Sequence, residues 1–174
     1  MRETIMSDPM VQSLSIRPAA SKDLAAINDI YNHYVLNSTC TYQLEPETMA
    51  DRIAWFEHHG PKHPVIVGEL EGKVVGWGSL SRYNARAAYA RTVENSVYVH
   101  HQWHKRGIGG MLLAELIRLA RQQGHHTIIA GIDADQTASV ALHSSLGFKK
   151  VGHMTELGHK FERWLDVMYM QLML

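Results

Sequence analysis

The sequence predicts an α/β fold with a mixed, mostly antiparallel central sheet, helices on both faces and the element order β-α-α-β-β-β-α-β-α-β-β. Three observations predict it. Two stretches with apolar residues at helical spacing precede the first strongly β-forming run. Two β-rich runs then flank a Gly-containing turn, and a long amphipathic stretch ends at a glycine. The 174 residues are enough for one domain with its own core.

The N-terminal elements follow from short signals. Residues 14–16 alternate like a strand that ends at Pro18, and Ser21 is a candidate N-cap for a helix reaching about Asn37. Apolar residues at three- and four-residue spacing give this helix one buried face. A second helix is predicted over residues 47–59, where Gly60 and Pro61 end it.

The later elements alternate between strands and helices. A hairpin is predicted around Gly72, and the polar segment 81–91 is predicted to be a loop. The long helix begins near Gly107 and ends at Gly124. The remaining predictions are strands at 65–67, 74–80, 92–99, 127–132, 148–152 and 164–173, and a helix at 137–146.

Composition excludes several classes of function. Lys and Arg together number 17, as do Asp and Glu, so no net positive field attracts nucleic acid or an anionic membrane. Cys40 is the only cysteine, which excludes an internal disulfide and predicts a cytoplasmic location. No apolar run approaches the roughly 20 residues of a membrane span. Residues 1–13 lack a signal-peptide core and are predicted to be a flexible tail before a single domain at 14–174.

A basic, glycine-containing turn lies between the strand at 92–99 and the long helix. Glycines at such a turn let backbone approach a ligand, and the first turn of a helix offers unpaired N–H groups to a phosphate. By itself this pattern is equally compatible with a solvated turn. The residues concerned are Lys105, Arg106, Gly107, Ile108, Gly109 and Gly110.

The turn and the segments near it resemble motifs of a known family. Residues 103–110 resemble motif A of the GNAT acetyltransferases, and residues 135–148 are similar to motif B. Within that family the chain looks most like the phosphinothricin and methionine sulfoximine N-acetyltransferases. The resemblance runs from about Ile16 to Leu174 and is most specific at residues 31–34, 92–99 and 158–167.

The resemblance implies a GNAT fold in which acetyl-CoA, without a metal, lies between two diverging central strands. It implies that backbone of Val97, Tyr98 and Val99 pairs with the pantetheine arm, and that the basic turn holds the pyrophosphate. Two positions depart from the family pattern. His104 stands where Gln or Arg is usual, and Gln136, a candidate cofactor-binding residue, stands where Asn is usual.

Glu94 and His143 are the candidate catalytic residues. Acetylation needs a neutral amine, and an α-amino group is mostly protonated at neutral pH, so a base is required. A carboxylate in a central strand is costly without a purpose or a partner, so Glu94 is either this base or part of a salt bridge to a loop arginine such as Arg91. The resemblance to the family at residues 92–99 implies the base. His143 occupies the position of a family residue near the CoA sulfur, and could give or accept a proton or be a core histidine.

The resemblance implies that the acceptor is a small amino-acid-like molecule acetylated on its α-amino group, and recognising it calls for cationic and aromatic side chains. Tyr83, Arg86 and Tyr89 in the polar loop, and Lys160, are the candidate substrate-binding residues. Another amine, such as a different amino acid, a polyamine or a protein N-terminus, stays open as the acceptor. A CoA-binding module without catalysis is the alternative from another class.

Three further interpretations concern metals, nucleotides and assembly. The twelve histidines have no carboxylate or thiolate cluster at ligand spacing, so no metal site is predicted. The glycine turn lacks the Lys-Ser/Thr ending of a P-loop. The apolar strand at 164–174 and the resemblance together predict a homodimer.

Overall fold

The structure of the protein, a computed structural model, describes residues 14–174; the predicted N-terminal tail lies outside the described residues. Its sheet has seven strands in the order β1-β2-β3-β4-β5-β7-β6. The strands are β1 (Ser15–Pro18), β2 (Val65–Leu70), β3 (Lys73–Arg82), β4 (Thr92–Val99), β5 (Thr127–Asp133), β6 (Lys149–Lys160) and β7 (Arg163–Met173). The helices are α1 (Leu24–Asn37), α2 (Met49–Glu57), α3 (Ile108–Gln122) and α4 (Thr137–Ser145).

The sheet consists of two antiparallel halves that meet at one parallel pair. Strands β1 to β4 form one half, and β5, β7 and β6 form the other. The parallel pair of β4 and β5 is short, with only three positions in register, the last of which is Glu94 opposite Ile129. Beyond this point β4 stays paired with β3, and β5 stays paired with β7. The sheet therefore opens along its middle.

Each face of the sheet has its own hydrophobic cluster. On one face α3 buries Leu112, Leu113 and Leu116 completely against strand residues such as Val93 and Ile128. On the other face the apolar side of α1 packs on β2 and β3, and the cluster includes Ile27, Val67 and Trp77. Burying apolar side chains on both faces fixes the sheet between two layers of helices.

Small residues let α3 lie close to the sheet. A Cβ on Gly76 would be 3.1 Å from Leu112 Cδ1, and a Cβ on Gly78 would be 3.0 Å from Leu116 Cδ1. Because interiors are packed densely, larger residues on β3 would push the helix outward. This contact positions the N-terminus of α3 beside the end of β4.

The predicted order of elements is confirmed, and the main difference in length is in β6. That strand was expected to end at residue 152 but continues to Lys160. Most of its residues are exposed and its register with β7 shifts twice, so no alternation of apolar and polar residues marks it in the sequence. Among residues 14–174, no helix is both long enough and apolar enough to span a bilayer.

Candidate active site

A cavity of about 350 Å³ lies where β4 and β5 diverge. The two strands form its floor, and the segment after α1, helix α4 and the β6–β7 hairpin form its walls. Both predicted catalytic residues line it, together with three of the predicted cofactor-binding residues. These five are Glu94, Val97, Tyr98, Gln136 and His143.

Glu94 lies at the last paired position before the sheet opens. Its carboxylate lies over Gly131 of β5, where Oε1 is 3.5 Å from the position that a Cβ would occupy. Burial raises the pKa of Glu94 above its ordinary value. The alternative salt bridge is not formed, because Arg91 Nε donates to the carbonyl of Gly124 at 3.0 Å. The carboxylate is thus partly desolvated and available for chemistry.

His143 is buried on α4, with both ring nitrogens engaged. Nδ1 is 2.8 Å from the carbonyl oxygen of Ser139, and Nε2 is 3.0 Å from Nδ2 of Asn95. A carbonyl can only accept, so Nδ1 carries the proton and Nε2 accepts from the Asn95 amide. Burial lowers the pKa of His143, which keeps the imidazole neutral at pH 7. His143 therefore combines the carbonyl contact of a core histidine with a place on the cavity wall.

The basic turn has the backbone geometry of an anion cradle. Gly107 is the N-cap of α3 with φ of 78°, a left-handed conformation that favours glycine, and no side chain caps the helix. At Gly109 a Cβ would lie 3.3 Å from Leu142 Cδ2, a tight contact, so a glycine suits the close packing of α3 on α4. Arg106 stacks over Trp103 at 4.8 Å. The first-turn N–H groups of α3 can therefore meet a phosphate without a competing side chain.

One edge of β4 is unpaired beyond Glu94. After Glu94 the strand has lost its β5 partner, so its backbone polar groups on that side can pair with an extended ligand. At Val99 the carbonyl accepts a hydrogen bond from the Tyr34 hydroxyl, and His104 Nε2 lies 3.2 Å from the same oxygen. The Tyr98 ring packs against Trp77 at 4.9 Å, which leaves the Tyr98 backbone as its contribution to a ligand.

The segment between α1 and α2 closes one wall of the cavity. Gln136, at the N-cap of α4, donates to Thr39 Oγ1 at 3.2 Å. The Tyr42 ring lies over Gly158, where a Cβ would be only 2.5 Å from ring atoms, and its hydroxyl donates to the Asp166 carbonyl at 3.0 Å. These contacts attach the segment to both α4 and the last hairpin.

The predicted substrate-binding residues lie outside this cavity lining. Tyr83, Arg86 and Tyr89 are exposed on the loop after β3, where the two tyrosine rings are 5.7 Å apart. Lys160 is buried, and its Nζ donates to the Thr41 carbonyl at 2.8 Å. Its contacts in this structure are those of a residue that anchors the wall, and its predicted role toward substrate stays a prediction.

Asn95 and Asp133 are two polar residues among the several lining residues that sequence reasoning does not identify. Asn95 contacts His143, and Asp133 is a buried carboxylate at the end of β5. Nothing in the local sequence marks Asn95 as a partner of a residue 48 positions later. A carboxylate at the end of an apolar strand was a usable signal for Asp133. Within residues 14–174 no three His, Cys, Asp or Glu side chains come together as a metal site.

Comparisons with known proteins agree with this geometry. The Acetyltransferase (GNAT) family model matches residues 27–148. The chain is 43% identical over 162 residues to the L-amino acid N-acyltransferase MnaT of Escherichia coli (strain K12), covering 92% of this chain and 94% of that protein. It is 41% identical to the L-methionine sulfoximine/L-methionine sulfone acetyltransferase of Salmonella typhimurium (strain LT2), covering 92% and 95%.

A solved structure shares the whole architecture. The phosphinothricin acetyltransferase of Sinorhizobium meliloti, crystallised in complex with acetyl-CoA, superimposes with a TM-score of 0.90 at 36% identity, over 93% of this chain and 89% of that chain. The family match covers more than half of the chain, and the relatives align along nearly its full length. With the opened sheet and the uncapped glycine turn already described, these matches show that this chain is a member of the GNAT acetyltransferase family.

Proposed function

We propose that the protein transfers the acetyl group of acetyl-CoA to the α-amino group of a small amino-acid-like acceptor, such as methionine sulfoximine or phosphinothricin. The observation that carries the proposal is the Glu94 carboxylate, which is desolvated, lacks a described ion pair and shares one cavity with His143. The names of the relatives support the acceptor class, because they include amino-acid, methionine sulfoximine and phosphinothricin acetyltransferases.

The residues present fit acetyl-CoA. The opened edge of β4 at Val97, Tyr98 and Val99 would hold the pantetheine arm, and the turn at residues 105–110 would hold the pyrophosphate. Gln136 is close enough to the cavity to add an amide contact. When bound, acetyl-CoA supplies an activated acetyl thioester, so that the acetyl group ends as an amide on the acceptor nitrogen and CoA leaves as a thiol.

Glu94 takes a proton from the acceptor ammonium and leaves a nucleophilic amine. The raised pKa of Glu94 makes its carboxylate a better proton acceptor than an exposed glutamate. His143 is neutral, with an N–H on a carbonyl, so it has a lone pair and no spare proton. This arrangement supports a role in accepting a proton, or in orienting the Asn95 amide, over a role as an acid.

Access to the cavity is possible from two sides. Side chains of a strand alternate between the two faces of the sheet. Asn95 contacts α4, on the face that α3 covers, so its neighbour Glu94 points to the face that α1 covers. The basic turn belongs to the α3 face. Cofactor and acceptor would therefore approach from opposite faces and meet in the opening between β4 and β5.

We also propose that the protein is a cytoplasmic homodimer. Strand β6 is a long edge strand at the end of the sheet, and exposed edges of this kind pair readily with another chain. Apolar side chains on β6, β7 and the turn between them support this, since they are at least half exposed: Val151, Met154, Leu157, Phe161 and Trp164. The single cysteine suits the reducing cytoplasm.

The function is tested by mixing the protein with acetyl-CoA and a panel of amines while thiol release is recorded. Turnover is expected with methionine sulfoximine, methionine sulfone or phosphinothricin. Turnover with only a polyamine or a peptide would contradict the proposed acceptor class. Acetyl-CoA binding without any turnover would indicate a binding module.

Glu94→Gln should lower kcat by about 10²- to 10⁴-fold, the usual contribution of a general base. Binding of acetyl-CoA, measured by calorimetry, should stay within a factor of two of the wild type. Glu115→Gln is the control, because Glu115 is a carboxylate on α3 that pairs with Arg118. An equal loss of turnover and acetyl-CoA binding in Glu94→Gln would contradict the assigned role.

A further inference from the structure

Asp133, the last residue of β5, is a buried carboxylate without a counter-ion among the described residues. Only 5% of the residue is exposed, and it lines the cavity. Its Oδ1 accepts the backbone N–H of Asp135 at 3.1 Å, which shapes the turn into α4. Its Oδ2 has no hydrogen-bond partner among residues 14–174. An unpartnered buried carboxylate oxygen is costly in free energy, so it calls for an explanation.

Asp133 lies on the same face of the sheet as Glu94. Ala130 and Ile132 of β5 belong to the α3 cluster, so Gly131 and Asp133 face the opposite side. The Glu94 carboxylate lies over Gly131. Two residues along a strand span roughly 7 Å, so a small molecule can contact both carboxylates at once.

The surroundings of this carboxylate are anionic. No Lys or Arg is among the described residues that line the cavity. The two nearby cations are occupied, since Lys160 donates to the Thr41 carbonyl and Arg163 pairs with Asp135 at 3.1 Å. The pKa of Tyr42 is raised to about 12 by burial and then by nearby carboxylates, of which Asp133 is the first. A cationic group is the ligand that such a site favours.

We propose that Asp133 binds the ammonium group of the acceptor and holds it beside Glu94. The proposal rests on the proposed function. It adds to that function the Asp133 carboxylate as the group that selects the protonated amine. The ammonium arrives as R–NH₃⁺, one proton passes to the Glu94 carboxylate, and Asp133 accepts hydrogen bonds from the remaining N–H groups. A carboxylate on the acceptor is repelled by Asp133 and has to point out of the cavity.

Asp133→Asn tests this role, because the amide oxygen can still accept from the Asp135 backbone. The acceptor is the amine with the highest turnover in the panel, and its binding is measured by calorimetry without acetyl-CoA. We expect the dissociation constant of the amine to rise at least tenfold, with unchanged acetyl-CoA binding and no decrease in Tm. Asp135→Asn is the control, since its side chain is 67% exposed, and should bind the amine like the wild type.

A second measurement does not depend on the stability of the variant. The wild type should bind the amine at least tenfold more tightly than its hydroxy analogue. Asp133→Asn should lose most of this difference in affinity. An active wild type whose Asp133→Asn variant binds the amine equally well overturns the role of Asp133 alone. A wild type that turns over no amine overturns the proposed function, and the role of Asp133 with it.

Discussion

At the scale of single residues, the site is defined by polar groups whose loss of water on folding is not fully offset by hydrogen bonds or ion pairs. Glu94 has a partly desolvated carboxylate, and Asp133 has an oxygen with no partner in the described part of the chain. Stable cores avoid such groups, whereas catalytic sites tolerate them because function requires them. His143 contrasts with both, since each of its nitrogens has a partner.

The pH profile of turnover should report Glu94. This residue accepts a proton only when ionised, and its raised pKa moves the acid limb of kcat/KM above the ordinary glutamate value of about 4.3. Activity is therefore expected to fall as the pH is lowered through the folded-state pKa. Acetyl-CoA binding over the same range is the control, and an acid limb that persists in Glu94→Gln would assign it to another group.

The same shift has a consequence for stability. A carboxyl whose pKa is raised by folding binds its proton more tightly in the folded state, so the ionised form is destabilising above that pKa. The free energy of unfolding should therefore be equal or higher in Glu94→Gln at pH 7. Thermal unfolding at pH 7 measures this difference, and a lower Tm would indicate a structural role for the carboxylate.

At the scale of elements, the start of α3 depends on a glycine conformation. Gly107 has φ of 78°, and Gly72 in the β2–β3 turn has φ of 77°; a Cβ at either position would meet no atom within 4 Å. Both Gly→Ala variants should therefore lose about 1–2 kcal/mol of stability. Only Gly107→Ala should also weaken acetyl-CoA binding severalfold, as measured by calorimetry. Equal affinity in both variants would exclude the turn as the pyrophosphate site.

The wall of the cavity depends on the contact between the α1–α2 segment and β6. A Cβ on Gly158 would overlap the Tyr42 ring at 2.5 Å, whereas a Cβ on Gly152 of the same strand would meet its nearest atom at 3.8 Å. Gly158→Ala should displace Tyr42, lower Tm and raise the KM for the amine severalfold. Gly152→Ala should leave the KM unchanged. A normal KM in Gly158→Ala would mean that the wall adapts without affecting the acceptor.

At the scale of the whole molecule, the two halves of the sheet are joined by one short parallel pair, and this arrangement creates the site. Complete pairing of β4 with β5 would close the opening that the cofactor and acceptor are proposed to share. Helix α3 packs against strands of both halves and holds them together, so the opening persists without a continuous ladder of hydrogen bonds. Strand β6 forms one outer edge of the sheet, at the end opposite β1.

Assembly should depend on the β6–β7 hairpin. Trp164 is 61% exposed there, and its replacement by Ser should shift the proposed dimer toward monomer in sedimentation experiments. Leu36→Ser is the control, because Leu36 is 57% exposed but lies on α1. A wild type that is monomeric at micromolar concentration, or a Trp164→Ser variant that stays dimeric, would contradict this assignment of the interface.

The sequence by itself determined the order and type of the elements, the glycine turn before α3, and Glu94 and His143 as candidates. These features depend on periodicity, capping and motif spacing, which are local along the chain. Only the tertiary structure decided where β4 and β5 diverge, that Lys160 anchors a wall and that Asp133 joins Glu94 in one cavity. Those features depend on contacts between residues distant in sequence, such as Lys160 with Thr41, and no local pattern encodes such a pairing.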